Sequence, residues 1–303
     1  MLNPGQLKTL LVVLRTGSFV DAARELDYTA SAVSQQMASL ERTVGMKLFE
    51  REAHSVRPTM AAEVLGIGAR DVLASILQLE EEAMSLAHGE RGRVRVGSFP
   101  SAGATLMPKA IQALSADSPG VEVLLDEGEP EVMFNHVLEG DLDVLLAYEY
   151  SVVPRTWPAG LTREQVLRED LILLEPADPR MPVDIEHADL SALADMHWVA
   201  SGVATGGAAC LERLCAASGF SPQVAFRSNN YDTVIGIVGA NLGVALVPAL
   251  AYRASPLVRA RSLDPDLASR RVHAVWREGN TNPLIPMVVD CVKRAAEHVE
   301  FVC

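Results

Sequence analysis

Residues 29–51, TASAVSQQMASLERTVGMKLFER, set Val33, Met37 and Leu40 at helical spacing on one side and leave Ser31, Ser34, Gln35 and Ser39 on the other. Thr29 is placed to cap such a helix, because its hydroxyl can accept from a free amide of the first turn. Working outward, Asn3 and Pro4 signal a helix start, Leu7, Leu10, Leu11 and Leu14 keep helical spacing, and Gly17 stops it. A short second helix opens at Ser18 with Asp21 in the position of a capping box and presents Phe19, Ala22, Ala23 and Leu26 on one face. Asp27 and Tyr28 make the turn into the quoted segment. Two helices around a tight turn, the second with a polar outer face, form a helix-turn-helix pattern.

That polar face has two readings. Serine and threonine hydroxyls donate or accept, and a glutamine amide can pair in bidentate fashion with adenine in the major groove; the same residues also suit a merely solvated helix. The context favours the first. Glu41, Gly45, Leu48 and Phe49 end the helix, and Arg51 to Thr59, REAHSVRPT, reads as a short hairpin carrying Arg51, His54 and Arg57. A basic wing beside a reading helix meets phosphates or the minor groove.

Charge fits this division. The chain of 303 residues has a formal net charge of -13, which opposes a polyanionic partner for the molecule as a whole. Residues 1–60 carry seven basic and six acidic side chains, so the acidic excess belongs to the rest. With 49% apolar residues the chain has material for two or three domains. It has no apolar run long enough for a membrane span and no signal-peptide pattern at its start, so a cytoplasmic protein is expected. Cys210, Cys215, Cys291 and Cys303 form no C-x-x-C pair and have no histidine at ligand spacing, which points to reduced thiols filling cores.

The segment SFVDAARELDYTASAVSQQMASLERTVGMKLFER resembles the winged helix-turn-helix of LysR-type transcriptional regulators, with Ala22-Ala23, Leu26, Val33-Ser34, Leu40-Glu41, Gly45 and Leu48-Phe49-x-Arg51 at the family's spacing. Ala30 stands where many members carry glutamine, and Ala62 where a glycine commonly follows the wing, so no base preference is carried over. VRVGSFPSAGATLMPKAIQAL, LEGDLDVLL and VGANLGVALVP look like the family's effector-binding domain, and the resemblance spans essentially the whole chain.

Residues 61–90 form the next unit. A long helical pattern without proline places Ala62, Ala69, Ile76 and Ala83 at one heptad position and Leu65, Val72, Leu79 and Leu86 at the other. The helix could pack on its own domain; the resemblance implies a linker helix that pairs antiparallel with a second subunit, giving a dimer that addresses two half-sites.

From residue 91 strands and helices alternate. GRVRVGSF, PGVEVLLDEG, LDVLLAYE, DLILLEP from Asp170, HWVASG from His197, QVAFRSN from Gln223, GVALVP and RVHAVWR from Arg271 read as strands. Helices are expected from Pro100 through Ala116, over Glu131–Glu139, Gly206–Ser218, up to Val238 and over Pro283–Val299. The overall expectation is a multi-domain α+β chain: a winged helix-turn-helix over 1–60, a linker helix over 61–90, and over 91–303 a two-lobed α/β domain resembling periplasmic binding proteins. Its sheet should be mostly parallel. Lobe I would take about 91–164 and 268–303, lobe II about 165–267.

Open α/β lobes bind ligands beyond the strand C-termini. That rule selects Ser98, Phe99, Ser101 and Ala102 at the first strand-to-helix turn, Tyr148 and Glu149 near the first crossing, Ser201, Val203 and Thr205 in lobe II, and Asn229, Tyr231 and Asp232 before the next helix. Ser101, Ser201 and Asp232 could simply cap helices, and Tyr148 could be core. Two acids and no cation stand in this set, although Arg227 lies nearby, which points to a neutral or zwitterionic effector.

No nucleophile elbow, P-loop, H-E-x-x-H or dinucleotide fingerprint occurs, which argues against an enzyme and against a resident cofactor. SGVATGGAAC from Ser201 is glycine-rich without the P-loop lysine. A solute-binding protein for a transporter would share the two lobes but not the first ninety residues. The expected partners are therefore promoter DNA, read by Thr29, Ser31, Ser34 and Gln35 and gripped by Arg51, Arg57 and Thr59, together with a small effector. The resemblance adds a homo-oligomer, a dimer through the linker helix or a tetramer of two such dimers, and RNA polymerase as a further candidate.

Overall fold

The computed structural model describes residues 1–51, 56–88, 92–177, 190–264 and 266–299, with the backbone alone for Arg51 and residues 85–88. His54 and Cys303 lie outside the described residues. The chain divides into two compact units, the first built on residues up to 91 with Asn135–Leu142 and the second on the remainder.

In the first unit α1 (Pro4–Thr16), α2 (Phe19–Glu25) and α3 (Ala30–Val44) are followed by the hairpin β1 (Phe49–Arg51) and β2 (Val56–Pro58) and the 29-residue α4 (Met60–His88). Each start follows from the residue before it. Asn3 Oδ1 accepts from Gly5 N–H at 2.8 Å, Ser18 Oγ from Asp21 N–H at 3.3 Å and Thr29 Oγ1 from Ala32 N–H at 3.1 Å. Gly17 and Gly45 end α1 and α3 at φ of 67° and 71°, a left-handed conformation that a residue with a Cβ rarely adopts. Leu7, Leu10, Val13, Ala22, Val33, Met37, Leu40 and Leu48 fill the core between these helices.

The heptad reading of α4 needs a correction. Ala62 and Ala69, assigned to the seam for a second subunit, are buried in this same core with Leu65 packed against it. Gly66 lies on that side too, where a Cβ would stand 2.5 Å from Leu14 Cδ1, so a small residue there admits α1. Val72 and Leu79 of the expected seam are exposed, together with Met60, Val64, Ile67 and Met84, which lie outside it.

The second unit carries a continuous sheet in the order β4-β3-β5-β11-β6-β9-β7-β8, with β10 pairing β6. Lobe I supplies β3 (Arg93–Ser98), β4 (Glu122–Glu127) and β5 (Val144–Tyr150), all parallel; lobe II supplies β7 (His197–Ala200), β8 (Gln223–Arg227) and β9 (Val244–Pro248), also parallel. β6 (Leu161–Pro176) and β11 (Ser269–Arg277) join the triplets and are antiparallel to their neighbours, so the parallel character belongs to each lobe and not to the junction. β10 (Val258–Ser262) and the first nine residues of β6 were absent from the strand pattern, because they are rich in charged and polar side chains.

Helices cover the sheet: α5 (Pro100–Thr105), α6 (Met107–Asp117), α7 (Pro130–Glu139), α8 (Gly206–Ala217), α9 (Tyr231–Gly239) and α10 (Leu284–Glu297). The single helix expected from Pro100 to Ala116 is two, broken at Leu106. Pro108 explains the break: it has no N–H to give Ala104 and its ring crowds that carbonyl. α10 returns to lobe I and buries Leu284, Ile285, Val288, Val289 and Val292. Among the described residues no helix is long and apolar enough to cross a membrane.

Candidate functional site

On α3 the apolar side is spent on the core, and Ser31 and Gln35 are exposed while Ser34 and Ser39 are half-buried. Thr29 is exposed but its hydroxyl already serves the cap and meets Ser31 Oγ at 3.0 Å. Arg57 is exposed on β2, whose partner strand in the hairpin contains Arg51. Thr59 is half-buried and its hydroxyl is engaged within the module. Its hydroxyl donates to Lys47 O at 2.9 Å and accepts from Ala62 N–H at 3.3 Å, so it caps α4 and ties the hairpin to it.

Glu41 fixes the helix to the wing. Its carboxylate accepts from Leu48 N–H at 2.9 Å, Phe49 N–H at 3.3 Å and Lys47 Nζ at 2.9 Å. Burial works to raise its pKa, but these donors prevail and hold it below the ordinary carboxylate range. A carboxyl with a depressed folded pKa stabilises the fold above its unfolded pKa, and the contribution disappears as pH falls through the folded value. In Glu41→Ala at neutral pH the exchange protection of the Leu48 and Phe49 amides should fall about tenfold. In the wild type it should fall only on acidification past the ordinary carboxylate range. Equal protection in the variant at neutral pH would mean that the carboxylate does not hold this turn.

In the second unit the residues expected at the first turn come together deep inside. Ser98 and Ala102 are fully buried, Phe99 lies edge-on to Tyr148 at a centroid distance of 4.8 Å, and Ser101 Oγ accepts from Arg270 Nη2 at 2.8 Å. The Tyr148 hydroxyl donates to Glu129 Oε2 at 2.8 Å. Ser201 Oγ and Thr205 Oγ1 are 2.7 Å apart, and Thr205 also caps α8 by accepting from Ala208 N–H at 3.3 Å. Asn229 Oδ1 accepts from Gly202 N–H at 2.8 Å, bracing the same loop. Val203 is 78% exposed, and Asp232 lies exposed in the first turn of α9. The α9 cap is Asn230, which accepts from Thr233 N–H at 3.1 Å. Glu149 belongs to the other face of β5, with Arg271 at 3.5 Å and His273 at 3.6 Å.

The decisive pair was not in the expected set. Arg270, 1% exposed, donates from Nε to Glu169 Oε1 at 2.7 Å, and Glu169 Oε2 accepts from Leu250 N–H at 2.6 Å. The guanidinium carbon lies 4.8 Å from the Phe99 ring centroid and 5.0 Å from that of Tyr148. Burial opposes the charge of the guanidinium, and the Glu169 carboxylate beside it more than offsets that cost. Burial also pushes Glu129 and Tyr231 upward, and Tyr150 well above the ordinary phenol value. The set from which a neutral or zwitterionic effector follows contains no cation; the structure adds one. Through Ser101 and Leu250 the pair fastens α5 of lobe I and the turn after β9 in lobe II to the crossing strands.

The family model described as LysR substrate binding domain matches residues 87–297, and that of the bacterial regulatory helix-turn-helix protein, lysR family, matches residues 4–63. The chain is a LysR-type transcriptional regulator. Such regulators bind promoter DNA through the N-terminal module and a small effector through the C-terminal one, and this LysR-type chain carries both. It is 28% identical over 255 residues to the nitrogen assimilation regulatory protein nac of Escherichia coli (strain K12), covering 83% of this chain and 80% of that one. It is 26% identical over 282 residues to the HTH-type transcriptional regulator AlsR of Bacillus subtilis (strain 168), covering 92% and 91%. In fold it is similar to a full-length OxyR variant from Pseudomonas aeruginosa, with a TM-score of 0.65 at 20% identity over 97% of this chain and 98% of that one. Unlike a reactive thiol, Cys210 and Cys215 of this LysR-type chain are buried and pushed up to about 12 by that burial, so they stay protonated at neutral pH.

Proposed function

We propose that this regulator reads its operator with the exposed edge of α3, chiefly Gln35 and Ser31 with Thr29 and Ser34 beside them, and grips the backbone with Arg51 and Arg57. The observation that carries this reading is the division of α3 into a buried apolar side and a polar side on which Gln35 is exposed. Thr59 enters as the support of the wing. A protein of the same fold, CbnR, has been solved at full length in complex with its target DNA, and matches at a TM-score of 0.55. Two copies would join through the exposed Val64, Ile67, Val72 and Leu79 stripe of α4, and pairs of dimers would give the tetramer. RNA polymerase is the partner through which such an assembly would act. The protein would work in the cytoplasm and catalyse no reaction. Its effector would sit between the lobes, against Ser98, Phe99, Ser101, Ala102 and Tyr148 on one side and Ser201, Val203, Thr205, Asn229 and Asp232 on the other.

A nuclease footprint upstream of the protein's own gene, extended to genome-wide binding, tests the DNA half. A discrete site with pseudo-twofold symmetry is expected. On it Gln35→Ala should cost about 1–3 kcal/mol and relax base preference, whereas Arg57→Ala should weaken all sequences alike and flatten the salt dependence. Equal losses for Gln35→Ala on cognate and random DNA would reassign the reading face.

A further inference from the structure

In the ladder between β6 and β11 Glu164 stands opposite Ala274, and Trp276 follows two residues later, so Glu164 and Trp276 project from the same face of the sheet. α10 packs beside that ladder and turns Ile285, Val289 and Lys293 toward it, each four residues from the next. Between the two rows runs a trough of about 520 Å³, bordered also by Pro283, Pro286 and Asp290. From Leu161 to Asp170 β6 pairs with β11 alone among the described residues, so lobe I ends beside the trough in an unpaired strand edge.

Both ends of the trough are fixed by side chains. At one, Asn280 Oδ1 accepts from Asn282 N–H and Asn282 Oδ1 from Leu284 N–H, each at 3.0 Å. Asn282 Nδ2 also donates to Arg93 O at 3.4 Å, which ties the loop before α10 to β3. At the other end Lys293 is ion-paired with Glu164. Asp290 pairs with Arg294 at 3.0 Å, so every charged side chain on the lining has its counter-charge. The floor is apolar. Ile285 and Val289 are 3% and 5% exposed, and the half-buried Trp276 packs against the same core.

We infer that this trough is a second small-molecule site, distinct from the cleft between the lobes, and that it takes a neutral ring compound. Its volume suits a small organic ligand, and Trp276 with the two proline rings offers flat apolar surface to an aromatic face. An anion or a cation would give up hydration and meet only charges that are already matched; to find a partner it would have to break the Lys293–Glu164 or the Asp290–Arg294 pair. A neutral ring buries its faces without that penalty and leaves an amide or hydroxyl substituent at the rim, beside Asn280 and Asn282. The hydrogen bonds that hold the end loop are in place before anything binds, so little ordering accompanies binding.

The test is calorimetric titration of the full-length protein with benzamide, phenol and indole, beside benzoate and benzylammonium. At least one neutral compound should bind saturably, one per chain, and about tenfold or more tighter than either ion. Trp276→Leu should weaken that binding about tenfold. The ion pair at the end of the trough gives a second test at exposed side chains, where the fold is not at risk. Glu164→Gln frees Lys293 and should strengthen benzoate about threefold, and Lys293→Met frees Glu164 and should do the same for benzylammonium. Ions binding as well as the neutral compounds, a charge variant that leaves its ion unchanged, or a panel without any saturable binder would overturn the inference. Saturable binding that is indifferent to all three variants lies elsewhere on the molecule and overturns it equally.

Discussion

Glu169→Leu lowers the stability of the effector domain by about 3–5 kcal/mol, because it leaves a guanidinium charged and buried with no counter-ion. Arg270 cannot escape by deprotonating, since arginine keeps its proton at any ordinary pH, and it cannot reach water from the middle strand of the sheet. The Leu250 amide loses its acceptor in the same step. Replacing both partners, Glu169→Leu with Arg270→Met, removes the orphaned charge and recovers most of that loss. Urea unfolding of the single and double variants measures the difference. A single variant as stable as the double would mean that Arg270 finds another partner and that the pair is dispensable.

The second large effect belongs to the other unit. Leu40 is fully buried where α3 meets α1 and the wing, and Leu40→Ala costs about 2–5 kcal/mol through lost transfer energy and the cavity left behind. Calorimetry of the whole chain should show the winged domain melting earlier while the effector-domain transition stays in place. Gln35 is five residues away on the same helix but exposed, and its truncation should leave both transitions where they are. A Leu40→Ala protein with one unshifted transition would show that the two units do not unfold independently and that the cavity collapses without cost.

The reading helix was legible because each of its signals is local: a cap, a periodic apolar side and a glycine stop within twenty residues. The chemistry of the effector domain was not. The strands β6 and β11 were expected to begin at Asp170 and Arg271 and in fact begin at Leu161 and Ser269, so Glu169 and Arg270 each fell one residue outside the expected strand. Glu169-Asp170 and Arg270-Arg271 look like the charged ends that commonly bound a strand, and nothing local marks which member of each pair turns inward. Only the pairing of residues 101 positions apart does so. The linker helix shows the same limit in another form. A heptad reports that a face is apolar, and whether α1 or a second subunit covers it depends on tertiary packing, which gave Ala62 and Ala69 to α1.

The place of β11 in the sheet has a consequence for synthesis. This strand lies between β5 and β6 although it comes almost last in the chain, followed only by α10 among the named elements. While the ribosome is still adding residues before 269, lobe I lacks its partner for β5, the guanidinium that Glu169 awaits has not been made, and α6 waits uncovered for α10. The winged module, complete within the first ninety residues, folds as soon as it emerges. Each molecule thus acquires the part that reads DNA well before the part that decides when to act. A chain cut short by some thirty-five residues would keep the first and lose the centre of the second.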